Sequence, residues 1–305
     1  MSCKPVVSVL MSIYNEARFL KESVGSVLGQ SFGDFEFIIL DDGSTDGSAD
    51  LVREFADPRI RLIVRDRNWG LTSSLNFGLR ECGGRYIARM DADDIAEPPR
   101  LEKQVDFLER RLNIGALGSA RLLIDELGQV VGRSSPPAND LAIRWKCLLG
   151  NPFGHPTVML RREVLKRHRL QYDRSFRTAQ DYEFWSRLLR VTCGANLPEP
   201  LLRYRLRKGS SRTDKSQQLA SHDRIAALAI RRLLPGTELR DDQVRELRGR
   251  FGGYSVRDAT MNPTDPVWQR LYLSLFDAFQ SAYGYEPSLM PLRWLVRWNV
   301  TQAAA

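Results

Sequence analysis

Cysteine is scarce in this 305-residue chain: Cys3, Cys82, Cys147 and Cys193 are scattered, with no paired spacing between them. That scatter excludes a disulfide framework and a thiolate zinc cluster, and reads as reduced thiols in a cytosolic protein. Long apolar runs are missing too. No segment could span a bilayer, and the opening "MSCKPVVSVLMSIYNE" lacks the apolar stretch of a signal peptide. The expectation is a protein made and kept on the cytoplasmic side. Internal repeats and low-complexity tracts are absent, and 43% hydrophobic with 27% charged residues is ordinary for a soluble globular chain. The length allows one large domain or two ordinary ones. No Gly-x-Gly-x-x-Gly follows the first apolar run, which sets aside a dinucleotide-binding dehydrogenase.

What charge there is lies unevenly. Of the net +8, residues 201–305 supply most, with 17 Lys/Arg against 10 Asp/Glu, while residues 1–200 carry 28 against 27. A basic C-terminal third suits an anionic partner such as lipid headgroups, a diphosphate-linked substrate or nucleic acid, and equally a merely solvated face.

Apolar patterning orders the first hundred residues. "VVSVLM" (6–11), "FEFIIL" (35–40), "IRLIV" (60–64) and "RYIARM" (85–90) read as buried strands. Helical spacing separates them: Leu20, Val24, Val27 and Leu28, then Leu51, Val52 and Phe55, then residues 71–82. Strands alternating with single helices predict βαβ units and a parallel sheet, with ligands beyond the carboxyl ends of the strands. "SIYNE" and two acidic clusters fall at that rim. Further on, Pro98-Pro99 opens a helix through Leu112, strand-like runs fall near 114–125, 156–161 and 200–206, and 181–190 reads as a helix with Asp181 in its first turn. From about residue 216 the pattern is amphipathic helix, ending in "LMPLRWLVRWNV", whose Arg293, Trp294, Arg297 and Trp298 suit either a membrane interface or a docked helix.

The first acidic cluster, "DDGSTDGS", opens like a calcium loop at Asp42, but the twelfth place, where a bidentate Glu belongs, holds Arg53. Ser44, Thr45 and Asp46 read instead as caps of the following helix, with Gly43 and Gly47 permitting the turn. The second cluster, "DADD", places Asp91 and Asp93 two apart after a buried strand, where both carboxylates can address one cation. An oxygen pair without a nearby His or Cys suits Mg2+ or Mn2+ shared with substrate phosphates. The alternative is that Asp93 and Asp94 cap the next helix.

In order and spacing, "VSVLMSIYNEARFLKESVGSVLGQSF", "FIILDDGSTDGS", "NWGLTSSLNFGL", "GGRYIARMDADD" and "AQDYEFWSRLL" resemble the family 2 glycosyltransferases, over roughly residues 4–210. The resemblance implies an α/β GT-A fold, a Rossmann-like mixed sheet built for nucleotide-diphospho-sugar transfer. Residues 1–215 would form the catalytic domain, 1–95 its nucleotide-binding half and 96–215 its acceptor half, with 216–305 a C-terminal helical region. It further implies that Ser12, Tyr14, Glu16, Asn68, Gly70 and Asn76 border the nucleotide pocket and that Asp42 reads the base. Asp91 and Asp93 would meet the ribose and diphosphate and hold a Mn2+ or Mg2+ ion, with Asp93 its main ligand, and Asp181 would be the catalytic base. Gln180 departs from the family's Glu-Asp pair, and Arg207 stands near the place where many relatives carry a histidine. Arg207 or Lys208 could then hold the leaving diphosphate, and His155 could bond the sugar or acceptor.

The function so implied is inverting transfer of a hexosyl or N-acetylhexosaminyl group from a nucleotide-diphosphate donor, a UDP-sugar first of all. The acceptor would be a hydroxyl of a glycan or lipid-linked glycan in cell-surface polysaccharide synthesis. Nucleic acid is not among the implied partners, and peripheral contact with the inner face of the plasma membrane is an option for the basic C-terminal region. The alternatives are a non-catalytic nucleotide-sugar binding or scaffold protein and a sugar nucleotidyltransferase. The latter usually has a Gly-rich basic loop after strand one, where this chain has "SIYNEARF".

Overall fold

A computed structural model of the chain describes residues 4–207, 215–251 and 266–284. Lys208 and the tail with Arg293, Trp294, Arg297 and Trp298 lie outside the described residues.

Strands β1 (Val7–Ile13), β2 (Phe35–Asp41), β3 (Ile60–Val64) and β4 (Tyr86–Met90) pair in parallel in the order β3-β2-β1-β4. Helices α1 (Ala17–Leu28), α2 (Ser48–Arg53) and α3 (Leu71–Glu81) make the crossovers. Alternation along β1 explains its apolar run: Val7, Val9, Met11 and Ile13 join a core with Leu20 and Val24 of α1, whereas Leu10 joins another with Leu75 of α3. Both faces are covered, so no polar face shows in the sequence.

Beyond β4 the sheet becomes mixed. After a two-residue strand β5 (Ile95–Ala96) and helix α4 (Arg100–Arg110) come β6 (Ile114–Ile124), β7 (Val130–Ser134), helix α5 (Asp140–Leu149) and a 3-10 turn, His155–Thr157. Then follow β8 (Met159–Arg161), α6 (Arg162–Arg167), α7 (Gln180–Leu188) and β9 (Cys193–Arg205). The order continues β4-β8-β6-β9-β5, with β8 antiparallel to both neighbours, β6 parallel to β9, and β7 on the edge of β6. Helices α8 (Lys215–Leu233), α9 (Asp241–Phe251) and α10 (Pro266–Tyr283) build a third core on α5. There Trp145 meets the rings of Tyr272, Phe276 and Phe279 edge-on at 5.3–5.4 Å. Among the described residues no helix is long and apolar enough to cross a membrane.

Candidate active site

The carboxyl ends of β1, β2 and β4 open into a cavity of about 1070 Å³. Ser12, Tyr14, Glu16, Asp42, Asn68, Gly70, Asp91, Asp93, His155, Asp181 and Arg207 all line it. Asn76 does not: it is buried in α3, where its amide donates to the Tyr172 carbonyl and accepts from the Tyr172 N–H, each at 2.8 Å. That pair pins the chain ahead of α7 to α3 and so to the parallel part of the sheet.

The turn after β2 is assembled from backbone donors. Ser44 Oγ accepts from the Asn15 N–H at 3.0 Å, Ser48 Oγ from Glu16 at 3.1 Å and Asp46 Oδ2 from Ala17 at 3.0 Å. Of the caps expected for α2, Ser44 serves the start of α1 instead, and Asp46 serves both helices, its Oδ1 accepting from the Ser48 N–H at 3.0 Å. The N-cap of α2 is Gly47, with φ +85° and no side-chain cap. Gly43 is required where it stands: its φ is +81°, and a Cβ would come within 2.6 Å of the Arg67 backbone. Asp42 Oδ2 accepts from the amides of Trp69 (3.1 Å) and Gly70 (2.8 Å), and Oδ1 from Arg65 (3.2 Å), so its carboxylate also holds the 68–70 segment to the rim.

The second cluster differs. Strand β4 ends at Met90, so Asp91–Asp94 form a turn rather than an extended continuation. Asp91 pairs with the buried Arg89 beneath it, and Asp93 Oδ2 lies 3.3 Å from Arg207 Nη1, which also reaches Glu16 Oε2 at 2.7 Å. Burial, and then the charges of Asp91 and Glu16, hold the Asp93 carboxyl above its ordinary range despite Arg207. Asp94 does not cap α4, which starts six residues later. It is buried, accepts from the Arg205 N–H at 2.8 Å, and is pushed well up by burial and by Asp91 and Asp93. Among the described residues no three His, Cys, Asp or Glu side chains converge as a metal cage. Two carboxylates at one cavity wall, Asp91 and Asp93, nevertheless fit a divalent cation that takes its remaining ligands from a diphosphate and water.

Across the cavity, α7 is preceded by its N-cap Ala179, which is left-handed at φ +56°. Asp181 Oδ2 accepts from Asn151 Nδ2 at 2.5 Å. A carboxylate in a first helical turn is expected to be a weak base, yet burial outweighs the Tyr182 N–H and Asn151 and raises the Asp181 pKa. His155 is buried, with Nε2 2.8 Å from the Tyr172 hydroxyl and its ring edge-on to Trp185. Burial, helped by Arg89, pushes its pKa well down, so it faces the cavity neutral.

Several lining residues were not anticipated: Arg89, Arg121, Asn151 and, from α8, Gln218 and His222. Arg89 had a signal, since an arginine inside a run of buried strand residues needs a partner. Gln218 and His222 had none, because α8 reaches the cavity only through packing on α5 and α7; Thr178 Oγ1 meets Ser221 Oγ at 2.9 Å there.

Residues 8–169 match the family model described as Glycosyl transferase family 2. An uncharacterized glycosyltransferase of Haemophilus influenzae is 37% identical over 216 residues, covering 66% of this chain and 66% of that protein. The O-antigen biosynthesis glycosyltransferase WbnJ of Escherichia coli is 30% identical over 211 residues, 68% of this chain and 82% of its own length. Among solved structures, residues 1–349 of S. aureus TarS in complex with UDP-GlcNAc are similar with a TM-score of 0.63. That likeness covers 97% of this chain and 88% of the other at 18% identity, a kinship of fold.

Proposed function

The chain belongs to glycosyl transferase family 2, and on that premise we propose an inverting transfer of a hexosyl or N-acetylhexosaminyl group from a UDP-sugar to a hydroxyl of a glycan or lipid-linked glycan in cell-surface polysaccharide synthesis. The observation that carries the reading is the convergence on one cavity of Asp42 and Gly70 from one rim, Asp91 and Asp93 from the next, and Asp181 from the facing helix. TarS, which shares the fold, was solved with UDP-GlcNAc, and WbnJ is named for O-antigen biosynthesis.

In this reading Ser12, Tyr14 and the 68–70 segment border the nucleoside. Asp181 takes the proton of the acceptor hydroxyl as its oxygen bonds to the anomeric carbon, while the bond from that carbon to the diphosphate breaks on the opposite face. One carboxylate suffices, because no glycosyl-enzyme is formed. A divalent cation held by Asp93 and Asp91 would supply Lewis-acid neutralisation of the leaving diphosphate. Arg207 moves its charge from Glu16 and Asp93 toward the same group.

Asp181→Asn tests the base. It is expected to bind UDP as the wild type does and to lose roughly 100-fold or more in transfer; retained turnover would reassign the role. The pH profile adds a second reading. The base works deprotonated, so kcat/KM falls on the acid side through a pKa above the ordinary aspartate value of 3.8. Asn151→Ala removes a donor that favours the anion and is expected to move that limb to higher pH. An unmoved limb would separate Asn151 from the base.

A further inference from the structure

Helix α8 brings two side chains to the main cavity, Gln218 and His222, which stand one turn apart and so share a face of the helix. The helix is seated on the segment that carries the base. Thr178 Oγ1 meets Ser221 Oγ at 2.9 Å and the Gln217 carbonyl at 3.3 Å. The His222 ring lies tilted against that of Tyr182, the residue after Asp181, with centroids 5.1 Å apart. His222 and Asp181 therefore border one end of the same space.

The imidazole is fixed from behind. Asp223 is buried and pairs with Arg248 and, at 2.9 Å, with Arg245. Arg248 Nε donates to the Leu149 carbonyl at 3.1 Å, and its Nη2 to His222 Nδ1 at 3.0 Å. A guanidinium only donates, so Nδ1 accepts and the ring is neutral with its proton on Nε2. Burial, and then the charge of Arg248, also bring the His222 pKa down to about 4 against the pull of Asp223, which keeps the ring neutral near pH 7. Neither Nε2 nor the Gln218 amide has a partner among the described residues. A buried ion pair thus holds one tautomer whose remaining N–H the fold does not use.

Resting on the glycosyl-transfer reading, we propose that Gln218 and His222 form the subsite for the acceptor sugar. His222 Nε2–H donates to a non-reacting oxygen of that sugar, a hydroxyl or an acetamido carbonyl, and the Gln218 amide bonds a second group of the same ring. Together they turn the reacting hydroxyl toward Asp181. A neutral donor beside an amide suits an uncharged sugar oxygen rather than an anion. His222 binds and orients, and takes no proton in the reaction.

Histidine-15N NMR on the full chain with UDP and Mg2+ tests this. The chain has three histidines, and His168, exposed and not among the residues lining the cavity, is the internal control. His222, identified by its loss in a His222 variant, is expected to show a protonated Nε2 and a bare Nδ1. Methyl glucoside and methyl N-acetylglucosaminide are the probes, and at least one is expected to shift the Nε2 signal while His168 stays unmoved. Tighter N-acetylglucosaminide assigns the carbonyl as the partner of Nε2, and equal or tighter glucoside a hydroxyl. His222→Phe keeps a ring against Tyr182 without the donor and is expected to weaken the probe about tenfold, whereas His222→Gln restores an N–H and stays within about twofold of wild type. Gln218→Ala, at an exposed position, is expected to weaken it about threefold with UDP affinity unchanged. A proton on Nδ1, binding of neither probe, full probe affinity in His222→Phe or Gln218→Ala, or equal weakening by Phe and Gln at position 222 overturns the proposal. Failure of UDP itself to bind, with His222-dependent probe binding intact, would overturn the glycosyl-transfer reading and leave the sugar subsite standing.

Discussion

The turns at 41–48 and 91–94 are equally acidic and lie at the ends of strands β2 and β4 in one parallel sheet, yet they are electrostatic opposites. In the first, carboxylates end on N–H donors: Asp41 accepts from Ser44 at 2.8 Å, Asp42 from residues 69 and 70, and Asp46 from residues 17 and 48. In the second, they crowd one another, and burial with mutual repulsion raises Asp93 and Asp94. The kind of donor, not acidity, separates them: amides close the first cluster, whereas Asp91 and Asp93 of the second end on the guanidiniums of Arg89 and Arg207. A cluster closed by amides builds a turn, whereas carboxylates held by side-chain cations can take a metal ion in a guanidinium's place.

The largest effect should come from the second turn. With UDP and Mn2+ each at about 100 times the dissociation constant, thermal unfolding should show a gain of roughly 2.7 kcal/mol, absent with EDTA and in Asp93→Asn. An equal gain in EDTA would break the comparison, because the crowded carboxylates would then need no cation. A smaller effect belongs to the first turn. Ser48 is buried and accepts the Glu16 N–H, so Ser48→Ala should cost about 1–2 kcal/mol in urea unfolding while keeping the UDP–Mn2+ increment. Loss of the increment at unchanged stability would move the cation to the first turn.

The parallel part of the sheet, β1 to β4, was legible because its strands are covered on both faces and each crossover is one helix. The expected strand limits fall within two residues of β1 to β4, and 60–64 coincides with β3. The second half reads less well. Strand β9 starts at Cys193, ahead of the expected 200, because Pro198 and Pro200 interrupt the pattern and the ladder with β6 shifts register there. Helix α5 was missed although Asn139 caps it, accepting from the Ala142 N–H at 2.9 Å, with Leu141, Trp145 and Leu148 at helical spacing. In the site, rim motifs such as Asp91 and Asp93 print locally. The capping role of Ser44 and Asp46 does not, because composition shows an acceptor's type while its partner amides lie about thirty residues earlier.

The smallest effect is a pH-dependent one at Asp46. Burial works against its anion, but the Ser48 hydroxyl and the Ala17 and Ser48 amides outweigh it and bring the pKa below 3.8. A folded-state pKa below the unfolded one gives stability that is present above 3.8 and lost as pH falls through the lower folded value. Asp46→Asn keeps one acceptor oxygen and removes the charge. Its urea midpoint should therefore lie slightly below wild type at neutral pH and converge with it in strong acid, where wild-type Asp46 is protonated. The side chain is exposed, so high salt should shrink the neutral-pH difference as well. A gap that persists in acid would mean that shape rather than charge ties this turn to α1, and the contrast with the Asp91–Asp94 turn would then be steric rather than electrostatic.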